Sequence, residues 1–135
     1  MHFSYPQSVL FRHCDPAGIV FYPRYFEMIN DAVEAFFAGA LDWPFEDIHN
    51  GNAVPTAKFD IRFKAPARHG DNLILNLTIT QLGRSSLGLT TRALNGNRLI
   101  FEADQVLVCT STLGKPISWP SPVRSKIQTL LETTL

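Results

Sequence analysis

FRHCDPAGIVFYPRYFEMINDAVEAFFAGA, residues 11–40, is the stretch on which the fold turns. Its start is strand-like: residues 7–14 mix β-branched, aromatic and polar side chains. Alternation there sets Phe11, His13 and Asp15 on one side, with Arg12 and Cys14 on the other. Asp15-Pro16-Ala17-Gly18 then forms a turn. Beyond it, apolar residues recur at Tyr22, Tyr25, Phe26, Ile29, Val33, Phe36, Phe37 and Ala40. Three- and four-residue steps predict an amphipathic helix over 22–39. Pro23 suits its first turn, where a missing N–H costs nothing, and Gly39 suits its end. Arg24, Glu27, Asp31 and Glu34 fall mostly off the stripe, whose breadth calls for a deep seat.

Downstream, residues 41–52 read as a connector holding a short helix after Pro44, ended by Asn50-Gly51. From Val54 the period becomes two. Phe59, Ile61 and Phe63 alternate with charged residues, and Leu73, Leu75, Leu77 and Ile79 continue the pattern after a turn at Arg68–Asp71. Leu87, Leu89, Thr91 and Ala93 follow a turn at Gly83–Ser86. Asn95-Gly96 signals a two-residue hairpin into a last strand over residues 98–112. Four strands are thus expected as an antiparallel meander. Ser121-Pro122 reads as cap and first turn of a terminal helix over 122–133. A five-stranded sheet with one apolar face needs a cover, and the aromatic helix supplies it: an α+β domain with the sheet curled around a central helix.

The 135 residues suit one domain, so residues 1–135 are taken as a single unit. Equal numbers of acidic and basic side chains, 12 of each, argue against a nucleic-acid or anionic-membrane partner. Cys14 and Cys109 make no disulfide framework and fit reduced, buried thiols. No signal pattern or long apolar run is present, so a cytoplasmic location is expected. No His/Cys spacing suggests a metal and no glycine-rich pattern suggests a dinucleotide.

Asp15 has a bland reading, a turn-forming Asp before Pro, and a sharper one. The apolar run from Ala17 to Phe21 leads straight into a helix start, where free N–H groups and a partial positive charge gather. Such a start can hold a carbonyl oxygen as negative charge develops on it. A neighbouring carboxylate can attack the carbonyl carbon or activate water. Acyl transfer needs both parts. Trp43 and Phe45 are equally core residues or walls of an apolar pocket. Gly83-Arg84-Ser85 is a solvated turn or an anion contact of guanidinium, hydroxyl and turn N–H groups.

CDPAGIVFYPRYFEMINDA resembles the signature of the 4-hydroxybenzoyl-CoA thioesterases of the hotdog fold. The match is close from Arg12 to Asp31, and the order of elements agrees throughout. The resemblance implies a long helix wrapped by a curved five-stranded sheet, and hydrolysis of an acyl- or aroyl-CoA thioester without cofactor or metal. It also implies a dimer of dimers with sites at the edge-to-edge dimer interface. It makes Asp15 the catalytic carboxylate, as nucleophile or general base, and gives the thioester carbonyl to the N–H of Tyr22. Gly18, Val20 and Phe21 would shape the site, and Trp43 would form a wall. Val54, Pro55 and Thr56 would touch substrate from a second copy. At the turn Gly83, Arg84 and Ser85 only Arg84 is basic, where the family has a basic run, so Lys58 and Arg62 are further candidates for the CoA phosphates. Asn30 stands where the 4-hydroxybenzoyl enzyme is acidic, so a different acyl group is conceivable. A short- or medium-chain acyl-CoA is the alternative substrate, and a non-catalytic acyl-CoA-binding module the alternative function.

Overall fold

A computed structural model describes residues 2–133. The chain runs β1 (Phe3–Ser8), a 3-10 turn (Phe11–His13), α1 (Pro23–Gly39), α2 (Phe45–Ile48), β2 (Asn52–Ala53) and β3 (Thr56–Phe63). It continues through β4 (Asn72–Leu82), β5 (Ser86–Asn95), β6 (Arg98–Val108), β7 (Thr110–Ser111) and α3 (Ser121–Glu132). Five strands form one antiparallel sheet in the order β1-β4-β5-β6-β3, and β2 pairs with β7 separately.

The predicted stripe seats α1 through Tyr25, Ile29, Val33, Phe36 and Phe37; Met28 and Ala32 join it, while Tyr22 is exposed and Ala40 only half-buried. The buried side chains lie against the sheet face carrying Leu73, Leu75, Leu77, Leu87, Leu89, Ala93 and Phe101. Burial of this apolar surface is the main force holding helix to sheet. Phe26, expected inside, is 37% exposed and leans on Phe59 at 5.0 Å between ring centroids. Trp119, Val123 and Ile127 add to the core near the C-terminus, where α3 packs against β4.

The sheet bends where extra residues interrupt its ladders. Thr80 is extra on β4, between the pairs Ile79–Leu89 and Gln81–Gly88. Ile100 is extra on β6, so Ile100 and Phe101 both turn inward. Gly88 sits against the first bulge: an added Cβ would lie 2.7 Å from Thr80 Oγ1 and 3.2 Å from Gln81 Cβ. Gly88→Ala is therefore expected to cost about 1–3 kcal/mol through overpacking. Urea unfolding checks this, since a midpoint equal to wild type would show that the bulge relaxes freely.

Several expectations need correction. The strand over residues 7–14 ends at Ser8. Leu10 N–H donates to His13 Nδ1 at 2.8 Å instead of a ladder partner, and the turn leaves Phe11 79% exposed while His13 is buried. The meander holds only for β4-β5-β6, because β3 crosses to the far edge and pairs with β6. Residues 64–71 make no hairpin: Val20 N–H donates to Ala67 O at 2.9 Å, and Ala67 N–H donates to Tyr25 Oη at 3.2 Å. Those bonds tie the crossing segment to the loop before α1 and to α1 itself. Finally, the last strand breaks at Cys109 so that Thr110–Ser111 can pair with Asn52–Ala53, and Ser121 opens α3 without a side-chain cap.

Candidate active site

The loop between the 3-10 turn and α1 is tied at both ends. Cys14 and Val20 face each other in an antiparallel bridge. Asp15 N–H donates to Ile19 O at 3.0 Å, and Gly18 N–H donates to Asp15 O at 2.9 Å. Gly18 has φ +82°, which a side chain resists. Phe21 N–H donates to His13 O at 2.9 Å. The next N–H, that of Tyr22, has no acceptor among the described residues. Tyr22 is the N-cap of α1 and Pro23 follows it, so the helix entry offers one unused donor in its positive end.

Asp15 makes the turn-forming bond and keeps one oxygen unengaged. Its Oδ1 accepts Ala17 N–H at 2.9 Å, the turn-forming bond. Its Oδ2 has no partner among the described residues. The carboxylate is half-buried and lines a hollow of about 420 Å³ with Phe11, Cys14, Pro16, Gly18 and His69. Tyr22 lines a separate hollow of about 320 Å³ with Val20, Tyr25 and Phe63 among others. Phe21 and Tyr22 stack edge to face at 5.6 Å. Val20 is buried, and Gly18 is exposed.

His69 and Phe63, which sequence patterns did not assign, line the hollows of Asp15 and Tyr22. His69 stacks edge-on to Phe11 at 5.8 Å in the Asp15 hollow. Phe63 stacks on Tyr22 at 6.1 Å. Both arrive from strands and loops remote in sequence, and no local signal could have found them.

The remaining candidates lie elsewhere. Trp43 packs on Phe37 and Trp119, with ring centroids 6.4 Å away in both cases, so within this chain it serves the core. Val54, Pro55, Thr56 and Lys58 lie at or before the start of β3, and Phe63 is at its end. Pro55 O accepts Val108 N–H at 3.0 Å and Ser85 O accepts Cys109 N–H at 2.7 Å. The turn Gly83–Ser85 therefore sits at the same end as Pro55. Eight residues of β3 separate that end from Tyr22, roughly 25 Å at strand spacing. A single chain does not bring the two groups together.

Three titrations are displaced among the described residues. Burial pushes the Tyr25 hydroxyl and the Cys109 thiol up, which keeps Cys109 a protonated, inert core residue. Burial first, and then the Arg12 charge, push His13 below 6.5. The folded imidazole thus binds a proton less readily than the unfolded one. Its contribution to stability is whole above that value and is lost as pH falls through the lowered folded one. Melting temperature is expected to fall between about pH 7 and pH 5, and His13→Gln to flatten that slope. An equal slope in the variant would assign the acid loss to other groups.

The chain belongs to the thioesterase-like superfamily, whose sequence profile matches residues 9–127. The 1,4-dihydroxy-2-naphthoyl-CoA hydrolase of Synechocystis sp. is 35% identical over 80 residues, spanning 58% of each protein. The acyl-CoA thioester hydrolase YbgC of Escherichia coli O6:H1 is 28% identical over 131 residues, covering 90% of this chain and 92% of that one. Two solved structures share the whole architecture. Slr0204, a 1,4-dihydroxy-2-naphthoyl-CoA thioesterase from Synechocystis, superposes with TM-score 0.87 at 27% identity over 96% of this chain and 98% of its own. The gentisyl-coenzyme A thioesterase BH1999 does so with TM-score 0.85 at 27% identity over 93% and 99%. The fold is the hotdog fold, and the chain is a thioester hydrolase of this superfamily.

Proposed function

We propose that this protein hydrolyses an aroyl-CoA carrying a ring hydroxyl, 4-hydroxybenzoyl-CoA or a related aryl-CoA, to free CoA and the carboxylic acid. The observation that supports this reading is the unused Tyr22 N–H at the head of α1, on the same short loop as a carboxylate with one free oxygen. The N–H takes the thioester oxygen and holds its charge as the carbonyl carbon becomes tetrahedral. Asp15 attacks that carbon or takes the proton of an attacking water. The thiolate then leaves as the C–S bond breaks; where Asp15 has attacked, water hydrolyses the acyl–Asp15 anhydride to release the acid and restore the carboxylate, and no cofactor is needed. Relatives named for dihydroxynaphthoyl and gentisyl thioesters support the aryl class.

The second half of the site comes from another copy. β3 is an edge strand, with β6 as its neighbour in the sheet, and its outer backbone is open to pairing. Antiparallel pairing of two β3 edges turns one copy's start of β3 toward the other's Phe63 end. That brings Val54–Lys58 and the Gly83–Ser85 turn toward the partner's Tyr22. Gln105 Nε2 donates to Thr56 Oγ1 at 2.9 Å, which frees the Thr56 proton for the partner's site. Two such dimers then associate.

A thiol-release assay over 4-hydroxybenzoyl-, 1,4-dihydroxy-2-naphthoyl-, gentisyl-, butyryl- and octanoyl-CoA tests the reading. The aryl substrates are expected to exceed the aliphatic ones in kcat/KM by at least about tenfold, the equivalent of about 1.4 kcal/mol. Preference for octanoyl-CoA would replace the aryl class with a medium-chain one. Binding without turnover of any thioester would make the protein an acyl-CoA-binding module.

A further inference from the structure

The turn between β4 and β5 is braced from α3. Arg124 Nη2 donates to Gly83 O at 2.7 Å and to Arg84 O at 3.0 Å. Trp119 adds two bonds, its backbone N–H to Arg84 O at 3.2 Å and its indole N–H to Ser86 O at 3.1 Å. Ser85 O accepts Cys109 N–H at 2.7 Å, and Ser86 O also accepts Gly83 N–H at 2.9 Å. Every carbonyl from Gly83 to Ser86 is therefore committed to the protein. The N–H groups of Arg84 and Ser85 have no acceptor among the described residues. Arg84 is exposed, and no carboxylate pairs with Arg84 or Arg124 among the described residues. A turn whose carbonyls are drawn away and whose N–H groups are left over, between two uncompensated guanidinium groups, suits an anion.

We propose that Arg124 is a positioning residue for substrate, locking the β4–β5 turn so that Arg84 and the N–H groups of Arg84 and Ser85 hold a phosphate of CoA. The inference rests on the CoA-thioester reading above. It answers a shortfall visible in the sequence, where Arg84 stands alone as the basic residue of its turn. The second cation comes from a helix near the far end of the chain. Lysine is a poor substitute, because its side chain is one bond shorter and its nitrogen falls short of the position from which Nη2 alone serves both carbonyls.

The test uses one aroyl group on two carriers: CoA, and N-acetylcysteamine, which has no phosphate. Arg84→Gln, Arg124→Gln and Arg124→Lys are compared with wild type, and the dissociation constant of free CoA is measured in parallel by calorimetry. Arg84→Gln and Arg124→Gln are each expected to raise KM for the CoA thioester about tenfold and to weaken free CoA similarly, as loss of a charge-assisted contact implies. KM for the N-acetylcysteamine thioester should barely move, and added salt should shrink the wild-type advantage. Arg124→Lys should fall nearer to Gln than to wild type. Arg124→Gln with wild-type KM and CoA affinity would overturn the proposal. So would an equal loss on both carriers, the mark of a brace that is structural only. If Arg124→Gln does not fold, the CoA affinity of Arg124→Lys decides, with wild-type affinity as the overturning result. Absence of wild-type turnover on either carrier would instead sink the functional reading, and calorimetry would still decide the role of Arg124.

Discussion

Asp15→Asn is expected to lower thioester turnover by roughly 10²–10⁴-fold, with little change in KM or melting temperature. The substitution keeps the shape of the side chain and leaves an amide oxygen to accept Ala17 N–H, so the turn that Oδ1 supports survives. What it removes is the charge and basicity of the free oxygen. An amide can neither attack a thioester carbonyl nor take a proton from water at useful rates. The control is Asp15→Ala, which loses the turn bond as well and is expected to lower stability by about 1 kcal/mol. Full turnover in Asp15→Asn would sink the catalytic role and return Asp15 to a turn former. A large rise in KM with intact kcat would make it a binding residue. Trapping of an acyl-enzyme with labelled substrate would separate attack by Asp15 from activation of water.

Phe37→Ala is expected to destabilise the fold severely, and more than Gly88→Ala or Asp15→Ala. Phe37 has no solvent exposure. Its ring meets Phe36 at 5.8 Å, Phe45 at 6.1 Å, and Trp43 and Trp119 at 6.4 Å. It joins the C-terminal half of α1 to α2 and to the segment before α3. Truncation leaves a cavity among rings that cannot all collapse, at about 3–5 kcal/mol. Against a typical total of about 5–15 kcal/mol that is a large fraction, equivalent to a drop on the order of 10–20 °C in melting temperature. Trp43 and Trp119 are the chain's two tryptophans and both touch this ring, so their fluorescence reports the change directly. A loss under about 1 kcal/mol would mean that the aromatic cluster repacks, as cores sometimes do. Catalysis at the other end of α1 should be spared in whatever fraction stays folded.

Legibility followed the range of the forces involved. Each of the elements α1, β4, β5 and β6 carries its own period, 3.6 or 2, and each was readable because one face had to meet a single core. The Asn95-Gly96 turn was readable because its backbone demands those residues: Gly96 has φ +62°. The 3-10 turn at Phe11–His13 was not readable. Its side chains have strand-like propensities, and the outcome depended on one imidazole nitrogen capturing Leu10 N–H. The place of β3 was equally hidden. Alternation says that a strand exists and which face is apolar, but not which neighbour it takes. Tyr25 Oη and the Val20 N–H hold the crossing segment, and neither is adjacent in sequence to what it holds.

The same division runs through the candidate site. Residues 11–40 alone determined the long helix, the Asp15 turn ahead of it and the proline-marked entry, because turn chemistry and helix periodicity act over a few residues. Tertiary structure alone decided that Phe21 N–H is consumed by His13 O while Tyr22 N–H is left over, and that His69 shares the hollow of Asp15. It also decided that Arg124 grips the turn at Arg84. The His13–Phe21 bond closes a short loop, but the contacts of His69 and Arg124 join segments that are remote in sequence and meet only in the folded chain. No periodicity encodes which distant donor finds which acceptor; that follows from burial, which leaves each polar group to take whatever partner the packed core brings within reach.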